Sequence, residues 1–174
     1  SVLAWFERQV DETGLLGPIS WWPYVDWAKE RGRGVPPGGS EGHSTVISLQ
    51  FVYALDRAAE LEQALGVPGL AEHYRGLARK VREAVRQRSW DQAKGLFRDT
   101  PDGNTYSQQA NVMAVLTDAV AAGDQAALME RVLSDTTLTQ STYYFSYYQF
   151  EALRKAGLGD RYVAQLGPWR GMLD

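Results

Sequence analysis

The sequence predicts an all-α fold built from αα-hairpins, and three observations carry that prediction. Apolar residues recur at three- and four-residue spacings over most of the chain, the period of a helix that buries one face. Glycines at positions 66, 123 and 157 each end such a pattern, and a second helical pattern starts almost at once. No segment alternates apolar and polar residues over the length of a strand. With 174 residues, 44% of them hydrophobic and 22% charged, the chain has material for a single globular domain.

Leu3, Phe6 and Val10 mark a short amphipathic helix over residues 2–12, stopped by Gly14 and Gly17-Pro18. A long irregular stretch follows, aromatic in its first half and Gly/Pro-dense in its second, where no helix interior is possible. The next helix spans 44–65 with Ser44 as N-cap. Its stripe of Ile47, Phe51, Ala54, Ala58, Leu61 and Leu65 is widened by Val52, Leu55 and Ala59, so much of its circumference is expected to be buried. Gly66-Val67-Pro68 turns the chain into an amphipathic helix carrying Leu70, Tyr74, Leu77, Val81, Ala84 and Val85. The pattern recurs with an apolar helix over 106–122, a break at Gly123, a cap at Asp124, and Leu128, Met129, Val132 and Leu133 beyond. A third hairpin is read from the aromatic segment 142–156, the turn Gly157-Leu158-Gly159, a cap at Asp160, and Tyr162, Val163, Leu166, Trp169 and Met172.

Connections within hairpins are short, whereas those between hairpins, at 13–43, 91–105 and 134–141, are long. In a ring or stack of hairpins the long connections emerge at one end. Trp21, Trp22, Tyr24, Trp27, Trp90 and Phe97 lie on them, and Tyr106, Tyr143 and Tyr144 open the helices that follow. One end of the molecule is therefore expected to be aromatic, where loops converge on a rigid scaffold as ligand sites require.

Composition excludes several function classes. Eighteen basic against twenty-one acidic residues, with no basic run, argue against nucleic-acid and anionic membrane partners. No apolar run approaches the roughly 20 residues of a membrane span. There is no cysteine, and the two histidines, His43 and His73, lie far apart, so neither a metal centre nor any other cofactor is indicated. Compartment stays open between a bacterial cytoplasm and periplasm. The chain starts on Ser1 inside a helical pattern without a cleavable leader and ends at Asp174 after another, so both ends are expected to continue into a longer protein.

The run Ile19-Ser20-Trp21-Trp22-Pro23-Tyr24-Val25-Asp26-Trp27 concentrates three of the six tryptophans in a connecting segment. Such a run is either a plug on the helical core or an aromatic platform beside a cleft. A pyranose presents C–H bonds that pack on indole and phenol faces, and hydroxyls that bond to carboxylates and amides. Asp26 either caps a following turn or faces a ligand; Trp27 is the first candidate for stacking. Gln108 and Asn111 either meet a sugar or satisfy loop backbone groups, and Glu151 is either a buried acid or the partner of an arginine on a neighbouring helix. Trp90-Asp91 reads as a helix end followed by a turn to Gly95, and Asp99 and Asp102-Gly103-Asn104 as turn residues. No pair of carboxylates suited to glycoside hydrolysis stands out.

The order of these motifs resembles the second half of the catalytic domain of bacterial α-L-rhamnosidases, glycoside hydrolase family 78. The residues carrying the resemblance are Trp22-Pro23-Tyr24-Val25-Asp26-Trp27, Tyr53-Ala54-Leu55, Trp90-Asp91, Gly95-Leu96-Phe97-Arg98-Asp99 and Tyr106-Ser107-Gln108-Gln109-Ala110-Asn111. The tail adds Tyr143-Tyr144-Phe145-Ser146-Tyr147-Tyr148, Glu151-Ala152-Leu153, Gly159-Asp160 and Trp169-Arg170-Gly171-Met172-Leu173. The resemblance implies an (α/α)6 toroid, of which this single domain supplies about half, with the site at the long-loop end. It implies inversion at the anomeric carbon by a general acid and a general base. The acid's Arg/Asp/Trp-Gly-Asp-rich motif would precede Ser1, and the base's Thr-Thr-x-x-Glu-like segment would follow Asp174. The chain alone is therefore expected to be inactive. Trp27, Asp26, Trp22, Tyr24, Tyr106 and Tyr143 are the expected substrate-binding residues, toward a rhamnosyl glycoside. A half-ring also exposes apolar inner-helix surface, so self-association or a locally collapsed arrangement of the inner helices is expected. Other toroid glycosidases of glucoamylase, trehalase or uronyl-hydrolase type, and a non-enzymatic binding scaffold, are the alternative readings.

Overall fold

The computed structural model describes residues 1–170. Its helices are α1 (Val2–Glu7), α2 (Thr45–Ala64), α3 (Pro68–Ser89), α4 (Gln108–Leu116), α5 (Gln125–Ser134), α6 (Ser146–Lys155) and α7 (Gly167–Arg170). α4 is the centre of the packing, touching α2, α5 and α6, while α3 lies along α2 and α1 caps α2 from outside. From Gln108 to Val115 every residue of α4 is buried, so this helix has no outward face. The core joins Leu49, Val52 and Leu55 of α2 with Val81 and Val85 of α3, Val112 and Met113 of α4, and Phe145 and Leu153 at α6.

The hairpin turns follow from how the helices end. After α2, Val67 N–H donates to Glu62 O at 2.9 Å and Gly66 N–H to Gln63 O at 3.2 Å, with Gly66 at φ 78°. This is the Schellman arrangement, which satisfies the last carbonyls and demands a left-handed residue. Pro68 then opens α3, where its missing N–H costs nothing. The same bonds close α6 at Gly157, from Leu158 N–H to Leu153 O and from Gly157 N–H to Arg154 O.

Four expectations need correction. The first helix, expected over 2–12, ends at Glu7. The apolar helix expected over 106–122 stops at Leu116, six residues short of the Gly123 break, because Asp118 takes the left-handed position at φ 56°. Ala119 N–H donates to Ala114 O there, and Thr117 Oγ1 donates to Met113 O. Among the described residues the third hairpin has no long outer α-helix: beyond Gly157 the chain forms 3-10 turns at Gly159–Arg161 and Val163–Leu166 and then α7. Met172 lies outside the described residues. A two-stranded hairpin, β1 (Trp90–Asp91) with β2 (Leu96–Phe97), occupies a region read as free of strands. Its turn is as expected, with Asp91 Oδ1 accepting from Ala93 N–H at 2.9 Å and Lys94 N–H at 3.2 Å.

The orientation of α2 also differs in part from its predicted stripe. Val52, Leu55 and Ala59 face inward, whereas Ala54 is exposed and Leu61 and Leu65 are 58% and 66% exposed. These last three share one face by helical spacing, and no described element covers it.

Candidate functional site: an aromatic wall held by Asp26

The long connections do converge. Thr45 N–H donates to Asp99 O, Gln108 N–H to Thr139 O, and Thr142 N–H to Asp26 Oδ2, at 2.9, 3.0 and 2.9 Å. At this junction the segment 19–39 folds back on itself. Gly34 O accepts from Val25 N–H at 2.9 Å and from Asp26 N–H at 3.4 Å, and Ile19 N–H reaches Gly39 O at 3.4 Å. The Gly/Pro-rich half is thus the support of the aromatic half. Gly34 is required twice, by its φ of 73° and by the Tyr24 ring, whose Cδ2 and Cε2 would lie 2.6 Å from any Cβ.

On that support Trp22, Tyr24 and Trp27 form a triangle with ring centroids 5.3, 5.9 and 5.3 Å apart, and Tyr144 extends it at 5.8 Å from Tyr24. Such spacings and tilts are those of favourable aromatic contacts. The rings are nevertheless open to solvent, with Trp22 55%, Trp27 59% and Tyr144 56% exposed. Trp22 is not mobile decoration: its Nε1–H donates to Arg33 O at 2.9 Å. Burial first, then the charges of Asp26 and Tyr144, raise the Tyr24 phenol above its ordinary 10.0, so it is a neutral hydrogen-bonding group at neutral pH.

Asp26 is the keystone. It is fully buried, and its carboxylate accepts from Gln109 Nε2–H at 2.7 Å, from Thr142 N–H and from the Thr142 hydroxyl. These bonds tie the aromatic segment to the start of α4 and to the approach to α6, which is what sets Trp27 and Tyr144 on one surface. The structure therefore gives Asp26 a supporting position with no open face toward a ligand.

The other expected residues are placed apart from this wall. The Tyr106 hydroxyl donates to Asp91 Oδ2 at 2.7 Å, and Lys94 Nζ sits 4.2 Å above its ring. Burial and that bond raise its pKa. Tyr143 follows the wall in sequence, but its hydroxyl donates to Pro168 O at 2.9 Å and its ring meets Trp169. Tyr144 rather than Tyr143 completes the wall. A Tyr-Tyr pair at a helix approach does not reveal which ring turns outward, so no sequence signal separated them.

The amides opening α4 serve the loops. Asn111 bonds both backbone groups of Phe97 and the carbonyl of Ser107, and Gln108 bonds Val132 O, Gln140 and Ser141 N–H. Glu151 pairs with Arg154 at 2.8 Å on its own helix, not with an arginine of a neighbouring one as expected. His43 contacts Asp11 at 2.6 Å rather than the wall. Asp99 is more than a turn residue, being 1% exposed and set beside the buried Arg31, which sequence reading passed over. Burial lowers the Arg31 pKa, with Asp99, Asp26 and Glu30 opposing the shift. Among the described residues no cluster of three or more His, Cys, Asp or Glu could hold a metal ion, and no helix is long and apolar enough to cross a membrane.

Comparisons with known proteins agree with this architecture. Residues 1–143 match the family model described as bacterial alpha-L-rhamnosidase 6 hairpin glycosidase domain. The fold is similar to that of a rhamnosidase from Klebsiella oxytoca with rhamnose bound, at a TM-score of 0.82 and 20% identity over 99% of this chain and 32% of that one. It is also similar to a GH78 family rhamnosidase of Bacillus sp. GL1, at 0.77 and 24% over 98% of this chain and 18% of that one. The chain thus spans about a third or less of each of these structures. No curated relative matches. The hairpin order, the convergent long loops and the family match over residues 1–143 lead to one assignment: the chain belongs to the bacterial α-L-rhamnosidase six-hairpin glycosidase domain family.

Proposed function

We propose that this chain is part of the catalytic domain of an inverting α-L-rhamnosidase, that it supplies one wall of the rhamnosyl site, and that it hydrolyses nothing by itself. The observation carrying this reading is the exposed, rigidly mounted surface of Trp22, Tyr24, Trp27 and Tyr144. Indole and phenol faces accept the C–H face of a 6-deoxy sugar, and the C6 methyl of rhamnose adds an apolar contact that a more hydroxylated hexose lacks. Inversion requires a protonated acid at the leaving oxygen and a carboxylate base on a water across the ring, about 6.5–9.5 Å apart. Asp26, the one carboxylate of the aromatic run, is spent on three donors, so the chemistry belongs to carboxylates outside this chain. In this reading Trp27 and Trp22 stack, Tyr24 and Tyr144 bond hydroxyls, and Asp26 holds the wall in shape. Tyr106 and Tyr143 act from further out, by fixing the hairpin and the tail.

The test is direct. Methyl α-L-rhamnopyranoside should quench the tryptophan fluorescence of the chain saturably and that of Trp27→Ala far less. The chain should release no p-nitrophenol from the aryl α-L-rhamnoside. Release of p-nitrophenol would overturn the inactive-wall reading. A tighter response to α-D-glucosides or uronides would move the chain to another toroid glycosidase chemistry.

A further inference from the structure

A buried arginine stands behind the wall without touching it. The side chain of Arg31 is 3% exposed and lies 3.7 Å from the carboxylate of Asp99, itself 2% exposed, too far for a hydrogen bond. Among the described residues its Nε, Nη1 and Nη2 have no hydrogen-bond partner. The planar fork that usually makes arginine irreplaceable is therefore unused here, and what the side chain contributes is its charge. Two buried carboxylates need that charge. Asp26 is held by Gln109 and Thr142, and Asp99 accepts from the Ser107 hydroxyl, all of them neutral donors. Among the described residues neither carboxylate has an ion pair within 4.0 Å other than that of Asp99 with Arg31. Burial disfavours the charged form of Arg31, while Asp99 first, then Asp26 and Glu30, favour it. Of these three only Glu30 is exposed.

The two carboxylates secure different joints. Asp26 ties the segment 19–39 to the start of α4 and the approach to α6. Asp99 takes the hydroxyl of Ser107, the N-cap of α4, and its backbone oxygen accepts from Thr45 N–H at the start of α2, at 2.9 Å. Arg31 belongs to the segment 19–39 and roots its turn. Its N–H donates to Ala28 O at 2.9 Å, and its O accepts from Gly34 N–H at 3.1 Å. On that turn rest Trp22, whose indole bonds Arg33 O, and Tyr24, whose ring packs on Gly34. A buried negative charge without a counter-charge is costly, and losing one partner of a buried pair costs far more than replacing both. Loss of the positive charge at position 31 therefore penalises both joints of the wall. Among the described residues Arg31 makes no hydrogen bond to the α2–α3 hairpin, which that loss leaves intact.

We propose that Arg31 is a positioning residue for the aromatic wall: its buried charge, rather than any hydrogen bond, compensates Asp26 and Asp99 together and so holds the segment 19–39 against the starts of α2 and α4. Its bearing on binding rests on the carbohydrate reading of the wall. The experiment is native-state hydrogen exchange by NMR at Val25 N–H, bonded to Gly34 O in the turn, and at Thr142 N–H, bonded to Asp26, with Leu55 N–H of α2 as reference. Arg31→Met keeps most of the stem's bulk without the charge. It should speed exchange at Val25 and Thr142 about tenfold or more and change Leu55 less than about twofold. Arg31→Lys restores a charge without the fork and should stay within about threefold of wild type. Adding Asp99→Asn to Arg31→Met removes a carboxylate left without its cation and should cut the acceleration about threefold or more. Unchanged exchange in Arg31→Met, Arg31→Lys as damaging as Arg31→Met, or further loss on adding Asp99→Asn would each overturn the role. If Arg31→Met does not fold, a folded double variant supports the role and an unfolded one refutes it. Methyl α-L-rhamnopyranoside, followed by tryptophan fluorescence, should bind about tenfold more weakly to Arg31→Met and recover in Arg31→Lys. Normal exchange in Arg31→Met beside intact glycoside binding sinks the positioning role and leaves the carbohydrate reading standing. Accelerated exchange in a protein whose wild type ignores the glycoside does the reverse.

Discussion

A single carboxylate can decide whether a surface exists. Removing it by Asp26→Ala takes one of two acceptors from the buried Gln109 amide, which keeps Gln140 O, and the acceptor from both donors of the half-buried Thr142. We expect a loss of about 2–4 kcal/mol, read as a fall in the urea midpoint at unchanged slope. A loss below ~1 kcal/mol would mean that the three bonds do not hold the segment. The sequence singled out Asp26 but left its role open, and the reason is distance along the chain. Its partners lie 83 and 116 residues away, and no local pattern reports them. The same is true of Arg31, which reads as one more charge in Lys29-Glu30-Arg31 until Asp99 is placed against it. A second residue-scale expectation concerns acid. Burial raises the Asp11 pKa, but its bonds from Thr13 and His43 outweigh that and set it below the ordinary 3.8. A carboxylate lowered in the folded state stabilises it above the unfolded value, and that contribution disappears as pH falls through the folded value. Thermal midpoints should therefore drop more steeply below 3.8 in the parent than in Asp11→Asn; identical profiles would refute the assignment.

Helix ends were legible at Gly66 and Gly157, where a period ran into a left-handed glycine, and less so before Gly14 and Gly123, where the helices stop early at Glu7 and Leu116. The boundaries around Gly66 are those the sequence implies, because glycine at a left-handed position followed by proline is a local instruction. α4 ended early because an aspartate, Asp118, took the position that glycine usually holds, a substitution that periodicity does not register. The outer helix expected after Gly159 carries apolar residues at helical spacing, yet Val163 is 64% exposed and Tyr162 43%, so little burial rewards an α-helix there. The glycine argument can be tested in isolation. Nothing lies within 4 Å of a Cβ built on Gly66, so Gly66→Ala adds no clash and should cost about 1 kcal/mol through its φ of 78° alone. An unchanged urea midpoint would show that the turn tolerates another conformation.

At the scale of the molecule, the all-α class and the gathering of long connections at one end followed from spacing and loop length alone. Which residues face outward did not, since that depends on neighbours that a ring would supply. The exposed face of α2 at Ala54, Leu61 and Leu65 is one such surface. A second is the apolar groove of about 590 Å³ between α1, the Trp21-Trp22 segment and α2. Surfaces of this kind associate. We expect the chain to sediment with a mass that rises with concentration, and Leu61→Lys with Leu65→Lys to reduce that rise. A concentration-independent monomer would remove the expectation.

The bonds from Asp26 to Thr142, 116 residues apart, also bear on the order in which the protein assembles. The α2–α3 hairpin closes over a three-residue turn and meets a small entropic barrier, whereas the aromatic wall waits for the closure of almost the whole chain. Helical signal should therefore recover in stopped-flow refolding before the tryptophan fluorescence of Trp22 and Trp27 does, and Asp26→Ala should speed unfolding while leaving the refolding rate nearly unchanged. Simultaneous recovery of both signals would place the wall inside the folding nucleus. A surface that forms last is also the first to loosen, so, on the proposed carbohydrate reading of the wall, a bound glycoside would act as a kinetic fastener, slowing the earliest step of unfolding.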